Sequence, residues 1–257
     1  MKQNEFIQNP HLDGDDFFWQ GNSTGFLLIH GFTATTAEVR LMAEKLHKDG
    51  FTTAAPLLPG HGTNPHDLNR STWQMWLASV KKMYEKLLRD EYNRIFVIAE
   101  SMGALLAIEL AAQHPEIDGL LLFAPGLKAR NLWLAPFLSP FIKYFEKSKR
   151  DDGLAWKGYN VYPVKAAMQL RKLQKHAQQQ LPKITQPTLV FSAEYDKLIT
   201  PDVAKIILKN ITSDWKKHIH MQDSGHCILL DRELDQANQY ILDFVEERDT
   251  LQEGLRL

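Results

Sequence analysis

The chain has 257 residues, of which 44% are hydrophobic, enough for one large core or one core with an inserted lobe. A formal net charge of −1 gives no basis for binding nucleic acid or an anionic membrane surface. The single cysteine, Cys227, excludes an internal disulfide and fits a reducing compartment.

The first residues lack the apolar segment of a secretory signal. The longest apolar runs are far shorter than the about 20 residues needed to cross a bilayer. These features predict a soluble, cytoplasmic protein without stable membrane insertion.

Short apolar runs alternate with amphipathic stretches along most of the chain, and this pattern predicts an α/β fold with a mostly parallel central sheet flanked by helices. The predicted strands cover residues 25–30, 51–57, 94–99, 119–124, 187–193 and 216–221. The predicted helices cover residues 37–49, 71–89, 103–113, 164–179 and 201–209, and a last helix buries Leu234, Ala237, Ile241, Phe244 and Val245.

Polar residues before three of these helices predict their starts. Thr35 with Glu38, and Ser71 with Gln74, have the spacing of a capping box. Thr200 is predicted to cap the helix that begins with Pro201. Residues 58–69 are predicted to form a loop rich in glycine, proline and histidine.

The alternation stops after the fourth predicted strand. Residues 126–185, which we call the cap segment, contain several prolines and many aromatic residues. We therefore predict a core formed by residues 1–125 and 186–257, with residues 126–185 inserted as a cap or lid.

The sequence Ala99-Glu100-Ser101-Met102-Gly103 joins an apolar strand to a helix rich in small residues. This context is typical of a nucleophile elbow, in which a sharp turn lifts a serine hydroxyl above the sheet. Ala99 stands where the G-x-S-x-G pattern has glycine, but alanine is also small. The context predicts that Ser101 is a nucleophile, against the alternative of a serine that caps an ordinary helix.

A serine nucleophile needs a base, and in this arrangement an acid and then a histidine follow it along the chain. His226 follows the last predicted strand, after Gly225. Asp196 follows the preceding strand and is the preferred acid. Glu194 is its main rival, and Asp223 is a weaker one because it is so close to His226 in sequence.

Two backbone N–H groups are predicted to stabilise an oxyanion. Met102 directly follows the nucleophile at a helix N-terminus, and Phe32 follows His30-Gly31 at the end of the first predicted strand. His30 is interpreted as a positioning residue and His61 as a residue that structures its loop. Cys227 is expected to be buried. Glu100 is interpreted either as a solvated or helix-dipole-paired charge or as a group that tunes the leaving-group side of the site.

The chain resembles the bacterial carboxylesterase and monoacylglycerol lipase group of α/β-hydrolases. The resemblance is carried, in chain order, by LLIHGFTATTAEVR, LLPGHGTNP, the serine elbow, Asp196 and the SGH at 224–226. The similarity extends from about residue 26 to residue 244. It implies the α/β-hydrolase fold, a Ser101–Asp196–His226 triad and an oxyanion hole at Phe32 and Met102. It also implies hydrolysis of carboxylic esters without a cofactor. Ala99 and Glu100 depart from the usual pattern.

The apolar residues of the cap segment predict the substrate class, because a cap that closes over an acyl group needs an apolar inner face. Trp133, Leu134, Phe137 and Leu138 are therefore candidate substrate-binding residues for short-to-medium acyl esters, and no metal-ligand spacing is present. The alternatives are a monoacylglycerol lipase, a peptidase or carbon–carbon-bond hydrolase with the same triad, and a non-catalytic ligand-binding module on the same fold.

Overall fold

The structure is a computed structural model that describes residues 5–90, 92–130, 132–138, 140–147 and 153–254. A seven-stranded sheet lies at its centre. In spatial order its strands are β11 (Lys216–Met221), β10 (Thr188–Ala193), β6 (Gly119–Phe123), β5 (Arg94–Glu100), β3 (Thr24–Ile29), β4 (Thr52–Ala55) and β2 (Phe17–Trp19). Neighbouring strands are parallel except for β4 and β2, so the predicted mostly parallel sheet is confirmed.

Helices cover both faces of the sheet, and this is why its central strands are apolar along their whole length. The helices are α1 (Ala37–Lys48), α2 (Pro65–Arg70), α3 (Trp73–Arg89), α4 (Met102–Ala111), α5 (Ala135–Leu138), α6 (Val164–Gln180), α7 (Val203–Asn210) and α8 (Leu234–Gly254). Helices α3, α4, α6 and α7 contribute to one apolar cluster, and α1 and α8 contribute to the other. In α8, Ala237, Ile241, Phe244 and Val245 are buried as predicted, and Leu234 is partly buried against them.

The cap segment lies between β6 and β10 and consists of short elements. It holds a 3-10 turn (Leu132–Leu134), α5, α6 and the strands β7 (Tyr144–Glu146), β8 (Gly158–Tyr159) and β9 (Val161–Pro163). Strand β7 pairs with β9, and β8 pairs with β1 (Ile7–Gln8). Helix α6 buries Leu170, Leu173 and Ala177 in the same apolar cluster as α4. The cap segment therefore shares the main core, and its division from the rest of the chain remains a proposal.

Neither predicted capping box forms. Helix α1 follows Thr36, which makes no side-chain capping bond, and the Glu38 carboxylate accepts a hydrogen bond from the Gly31 N–H instead. Helix α3 is capped by Thr72, because the Ser71 hydroxyl donates to the carbonyl groups of Pro59 in the preceding loop and Asp67 in α2. In both places the side chain that was predicted to cap the helix, Glu38 or Ser71, instead forms a hydrogen bond with a different segment of the chain.

Two further predictions about local structure are wrong. The predicted loop at 58–69 contains all of α2 except Arg70, and Asn64 caps this helix by accepting the His66 N–H at 2.8 Å. Helix α7 begins at Val203, not Pro201, because the Thr200 N–H and hydroxyl both donate to the Lys128 carbonyl. None of the helices in the described ranges is long and apolar enough to span a membrane.

Candidate active site

Ser101 occupies a sharp turn between β5 and α4. Its backbone has φ 56° and ψ −115°, a conformation that residues with a side chain rarely adopt and that costs about 1–3 kcal/mol. The Ser101 N–H donates to the Phe123 carbonyl, and the Gly126 N–H donates to the Ser101 carbonyl, both at 2.9 Å. The surrounding structure therefore holds a strained turn, as expected of a nucleophile elbow.

The turn depends on small residues on both sides of Ser101. A side chain at Gly103 would overlap the carbonyl oxygen of Ile29, so α4 can pass β3 only because this position is glycine. Ala99 is fully buried in the sheet between Ile29 and Leu122. The extra methyl group of Ala99 is accommodated, so the departure from glycine does not prevent the turn.

Three residues that the sequence predicted to act together form one hydrogen-bonded chain. His226 Nε2 lies 2.9 Å from Ser101 Oγ, and His226 Nδ1 lies 2.8 Å from Asp196 Oδ2. Because the Asp196 carboxylate can only accept, Nδ1 carries the proton and Nε2 presents its lone pair to the serine hydroxyl. This geometry suits proton transfer from a serine to a general base.

The Asp196 carboxylate is fixed by more than the histidine. Its Oδ1 accepts the N–H groups of Leu198 at 2.7 Å and Ile199 at 3.0 Å. Burial alone would raise the pKa of Asp196, but His226 and these backbone donors outweigh burial and hold the pKa below its usual value of 3.8. Asp196 therefore remains ionised near neutral pH, the state that stabilises an imidazolium.

Of the two rival acids, Glu194 contacts a different histidine and Asp223 is exposed. Glu194 Oε2 accepts from His220 Nε2 at 3.0 Å, and the N–H of the exposed Asp223 donates to Glu233. Of the three candidates, Asp196 is the one hydrogen-bonded to His226 in the part of the chain that the structure describes.

The predicted oxyanion-hole residues belong to two segments that meet at Ser101. Met102 is the first residue of α4, where backbone N–H groups have no acceptor one turn back in the helix. Phe32 follows Gly31, and a Cβ at Gly31 would lie only 3.1 Å from the Cβ of Ser101. The helix N-terminus also favours negative charge. The role of these two N–H groups as oxyanion donors remains a prediction.

Glu38 joins three segments around the site. It is 3% exposed, and its Oε2 accepts the N–H of Gly31 in residues 30–36, the loop between β3 and α1 that we call the oxyanion loop because it carries Phe32. Its Oε1 accepts from Trp156 Nε1 of the cap segment at 3.3 Å and from the Sγ of Cys227, the neighbour of His226, at 3.6 Å. One buried carboxylate thus contacts the oxyanion loop, the cap segment and residues 222–227, which carry His226 and which we call the histidine loop.

Sequence reasoning missed this role of Glu38 by assigning it to a capping box. Glu38 lies four residues before Met42, so the two share the face of α1 that also carries Val39 and Leu46. A charged residue on an apolar helix face needs a buried partner, and this was the available signal.

Glu100 is fully buried, so the interpretation of a solvated charge beside the nucleophile is wrong. Its Oε1 accepts the N–H of Leu229, in the turn that follows the histidine loop, at 3.2 Å. Cys227 is 1% exposed, which confirms its predicted burial. An effect of Glu100 on the leaving-group side of the site stays a prediction.

Glu38, Glu100 and Cys227 form a compact buried cluster. Within the described ranges, these residues bring three groups able to bind a metal ion within 4.8 Å of one another. Both carboxylates already accept N–H donors from the protein, and the thiol donates to Glu38. We therefore interpret the cluster as a hydrogen-bonded support for the two loops beside Ser101.

Two buried histidines support the loops near Phe32. His30 accepts the Leu58 N–H on Nε2 at 3.1 Å and donates from Nδ1 to the Gly31 carbonyl at 2.9 Å. Burial lowers the pKa of His30 to about 4, although the bond to Gly31 opposes the shift. His61 donates to the Leu58 carbonyl at 3.2 Å, and burial and then His30 lower its pKa well below 6.5. Both rings are neutral near neutral pH and connect backbone segments, as the sequence predicted.

The cap segment contacts the oxyanion loop through apolar side chains. The ring of Phe32 stacks on Tyr162, with centroids 6.4 Å apart and planes within 6°. A further, smaller apolar cluster includes Phe32 and, from the cap segment, Leu132, Ala135, Val164, Ala167 and Met168. These contacts give the cap segment an apolar inner face beside Phe32.

The four predicted substrate-binding residues lie in the 3-10 turn and in α5, but two of them are not on that inner face. Trp133 and Phe137 are 60% and 67% exposed and contact each other with ring centroids 6.3 Å apart. Leu134 is half-buried, and the side chain of Leu138 lies outside the described residues. Residues three or four apart share a helical face, so the face that meets Phe32 is the one that carries Leu132 and Ala135.

Lys147 is a cap-segment residue that sequence reasoning did not place at the site. Its ammonium donates to the Thr33 hydroxyl, directly after Phe32. It also lies 4.5 Å from the ring centroid of Trp156 and 4.7 Å from that of Tyr162. These cation–π contacts lie within the cap segment and position Lys147, whose hydrogen bond to Thr33 joins the cap segment to the oxyanion loop.

Replacing Glu38 by alanine is expected to lower kcat for the ester substrates that the sequence predicts by roughly 10- to 100-fold, with KM little changed. The reason is that a hydrogen bond to a charged group contributes about 1.5–3 kcal/mol, and here it holds the loop that carries Phe32, whose N–H is predicted to stabilise the transition state. Glu38→Gln keeps an acceptor for the Gly31 N–H and should recover most of kcat. Initial rates for the two variants, with Glu44→Gln in the same helix as control, test this expectation. A folded Glu38→Ala variant with lower stability but unchanged kcat would contradict it.

The chain is similar to known proteins over nearly its whole length. The model of the Hydrolase_4 family, described as serine aminopeptidase, S33, matches residues 23–154 and 160–233. A thermostable monoacylglycerol lipase from Bacillus sp. (strain H-257) is 30% identical over 242 residues, which cover 92% of this chain and 96% of that protein. A carboxylesterase from Bacillus subtilis (strain 168) is 30% identical over 238 residues, which cover 91% and 96%.

Solved structures show the same architecture. A structure from the work on the metagenome-derived lipolytic enzymes LipS and LipT superimposes with a TM-score of 0.86 at 26% identity and covers 91% of this chain and 98% of its own. The monoacylglycerol lipase of Paleococcus ferrophilus superimposes with a TM-score of 0.72 at 16% identity, covering 92% and 100%. Because the sequences are only 16% identical, the similarity to this second structure shows the fold and nothing about the activity.

Proposed function

The chain belongs to the Hydrolase_4 family and is a carboxylic ester hydrolase of the α/β-hydrolase fold, and we propose that Ser101, His226 and Asp196 are its catalytic triad. The observation that carries the proposal is the hydrogen-bonded chain from Ser101 Oγ through His226 to Asp196, with separations of 2.9 and 2.8 Å. The strained backbone of Ser101 and the start of α4 directly behind it support the same assignment.

In the acylation half-reaction, Ser101 Oγ attacks the ester carbonyl carbon while His226 Nε2 takes the hydroxyl proton. The carbonyl oxygen becomes an oxyanion between the N–H groups of Phe32 and Met102. When the tetrahedral intermediate collapses, the bond to the leaving oxygen breaks. His226 gives its proton to that oxygen, and the alcohol departs.

In the deacylation half-reaction, water takes the place of the alcohol. His226 removes a proton from the water as its oxygen attacks the acyl carbon, and then returns a proton to Ser101 Oγ as the carboxylic acid leaves. Asp196 stays ionised throughout, because its lowered pKa favours the carboxylate that faces the imidazolium.

The acyl group of the substrate is apolar in this proposal. Phe32 shares an apolar cluster with five cap-segment residues, Leu132, Ala135, Val164, Ala167 and Met168. An apolar face next to the oxyanion loop favours a short-to-medium acyl chain over a charged acyl group. A monoacylglycerol lipase is the second candidate, because one of the two curated relatives carries that name.

With p-nitrophenyl esters of increasing acyl length, kcat/KM is expected to rise by roughly fourfold for each added methylene until the apolar space is filled. This factor follows from about 0.8 kcal/mol per buried methylene. Initial rates across a series from acetate to palmitate measure it. A flat series, or a preference for esters of charged short acids such as succinate, would contradict the proposed acyl specificity.

The same acyl chains presented as 1-monoacylglycerols and as ethyl esters separate the two candidate functions. A glycerol-specific alcohol pocket should raise kcat/KM for the monoacylglycerol at least tenfold over the matched ethyl ester. Similar values for the two would favour a general carboxylesterase. Aminoacyl p-nitroanilides test for hydrolysis of amides, because the family description names an aminopeptidase.

A further inference from the structure

A second cluster of ionisable side chains lies on the outer strands of the main sheet. Ser192 of β10 pairs in register with His220 of β11, and His218 lies on the same side of β11 because side chains alternate along a strand. The intervening Ile219 packs into the apolar core. His218 and His220 therefore project together over β10.

Both imidazoles direct a ring nitrogen at the same point. Ser192 Oγ lies 2.7 Å from His218 Nε2 and 2.8 Å from His220 Nδ1. Because one hydroxyl has a single hydrogen, Ser192 Oγ donates to one of these nitrogens and accepts from the other, and His218 would offer a lone pair on Nε2 in its Nδ1–H tautomer. Two imidazoles converging on one point provide the donors that zinc, copper and nickel ions prefer.

A carboxylate fixes the tautomer of one of these rings. His220 Nε2 lies 3.0 Å from Glu194 Oε2, and since the carboxylate accepts, Nε2 carries the proton and Nδ1 carries the lone pair. Histidines that bind a metal through one nitrogen commonly donate from the other nitrogen to a carboxylate in this way. The lone pair of His220 is thereby aimed at the point that it shares with His218.

The neighbouring lysines are bound elsewhere. Lys216 Nζ donates to the Ile211 carbonyl at 2.8 Å, and Lys217 Nζ pairs with Glu247 at 3.4 Å across the other face of the strand. The charge next to the two rings is the carboxylate of Glu194, which favours a cation.

We propose that His218 and His220 bind a divalent transition-metal ion of the zinc class on the outer strands of the sheet, with Glu194 orienting His220. The ion lies about 2.0–2.1 Å from His218 Nε2 and His220 Nδ1. The Ser192 hydroxyl turns away from the two nitrogens or becomes a third ligand. Water completes the coordination, because the side chains are partly exposed.

Both proposed ligands lie on β11, and Glu194, which follows β10, acts on the ion through its hydrogen bond with His220. The proposal does not depend on the ester hydrolase assignment, since its ligands are not part of the Ser101 site.

Titration calorimetry of the full chain with zinc chloride, after removal of metal with EDTA and desalting, tests the proposal. We expect one binding event that Glu194→Ala weakens about 10- to 100-fold, the usual effect of losing the carboxylate that orients a metal-binding histidine. His218→Gln and His220→Gln should each weaken it further, because each removes a ligand. His66→Gln, which removes an exposed histidine of α2, is the matched control and should bind zinc like the wild type.

Unchanged ester hydrolysis and unchanged melting temperature without metal show that the variants are folded. Folded His218→Gln and His220→Gln variants that bind zinc as tightly as the wild type would overturn the proposal. Equal weakening by His66→Gln would also overturn it, because binding would then be spread over surface histidines.

Discussion

Ser101→Ala is expected to lower kcat for p-nitrophenyl butyrate by roughly 10⁴- to 10⁶-fold and to abolish covalent labelling by a fluorophosphonate. Losing the nucleophile removes the acyl-enzyme route and leaves only binding and oxyanion stabilisation, which account for a small residual rate. Initial rates and the intact mass of the treated protein measure the two effects. Melting curves of the variant should match the wild type within a few degrees, because the substitution removes a single hydroxyl group.

The chain offers a matched control for this experiment in Ser192. Its hydroxyl also contacts an imidazole, and His220 in turn contacts the carboxylate of Glu194, so the order of groups imitates a triad. However, Ser192 lies within a regular strand, without the strained turn and following helix of Ser101. Ser192→Ala should keep both activity and labelling. A fluorophosphonate adduct on Ser101→Ala, or its loss from Ser192→Ala, would remove Ser101 as the nucleophile.

The sequence was sufficient to predict the core of the fold and the order of the candidate triad. Each of Ser101, Asp196 and His226 follows a predicted strand, and parallel strands bring their carboxyl ends to one edge of the sheet. Residues that each follow a parallel strand are therefore expected to lie close together, although they are far apart in sequence. These strands are apolar along nearly their whole length, so their first and last residues could be predicted from the sequence.

The supporting contacts could not be predicted in the same way. Thr35 and Glu38 have the spacing of a capping box. In the structure, however, the Glu38 carboxylate accepts hydrogen bonds from the Gly31 N–H and from Trp156, which is 118 residues away in sequence. Local spacing contains no information about such a partner. Ser71 was misassigned for the same reason, since its hydroxyl bonds to the preceding loop.

The cap segment marks the other limit of sequence reasoning. Its strands have two or three residues and pair over long range, as β8 does with β1, so no periodicity identifies them. The apolar run at 132–138 indicated that residues there would meet a substrate, but it could not show which face turns inward. The structure directs Leu132 and Ala135 toward Phe32 and exposes Trp133 and Phe137.

The geometry distinguishes the candidate acids more sharply than the sequence did. Glu194 and Asp196 are two residues apart after the same strand, and spacing alone could not separate them. In the structure each contacts a different histidine: Glu194 contacts His220, and Asp196 contacts His226. Replacing each carboxylate by its amide therefore tests the assignment with two closely matched changes.

Asp196→Asn is expected to lower kcat for p-nitrophenyl butyrate by about 10⁴-fold, and Glu194→Gln to leave it within a few-fold of the wild type. An amide at position 196 keeps the size of the side chain but no longer secures the Nδ1–H tautomer of His226 or stabilises its cation, so Nε2 loses its function as a base. Glu194→Gln changes a contact of His220, which is not hydrogen-bonded to Ser101. Steady-state rates, with the rate of fluorophosphonate labelling as a second readout, measure both effects. A large loss in Glu194→Gln with little loss in Asp196→Asn would reverse the assignment, and equal losses would indicate that both carboxylates support the site through the loop that they share.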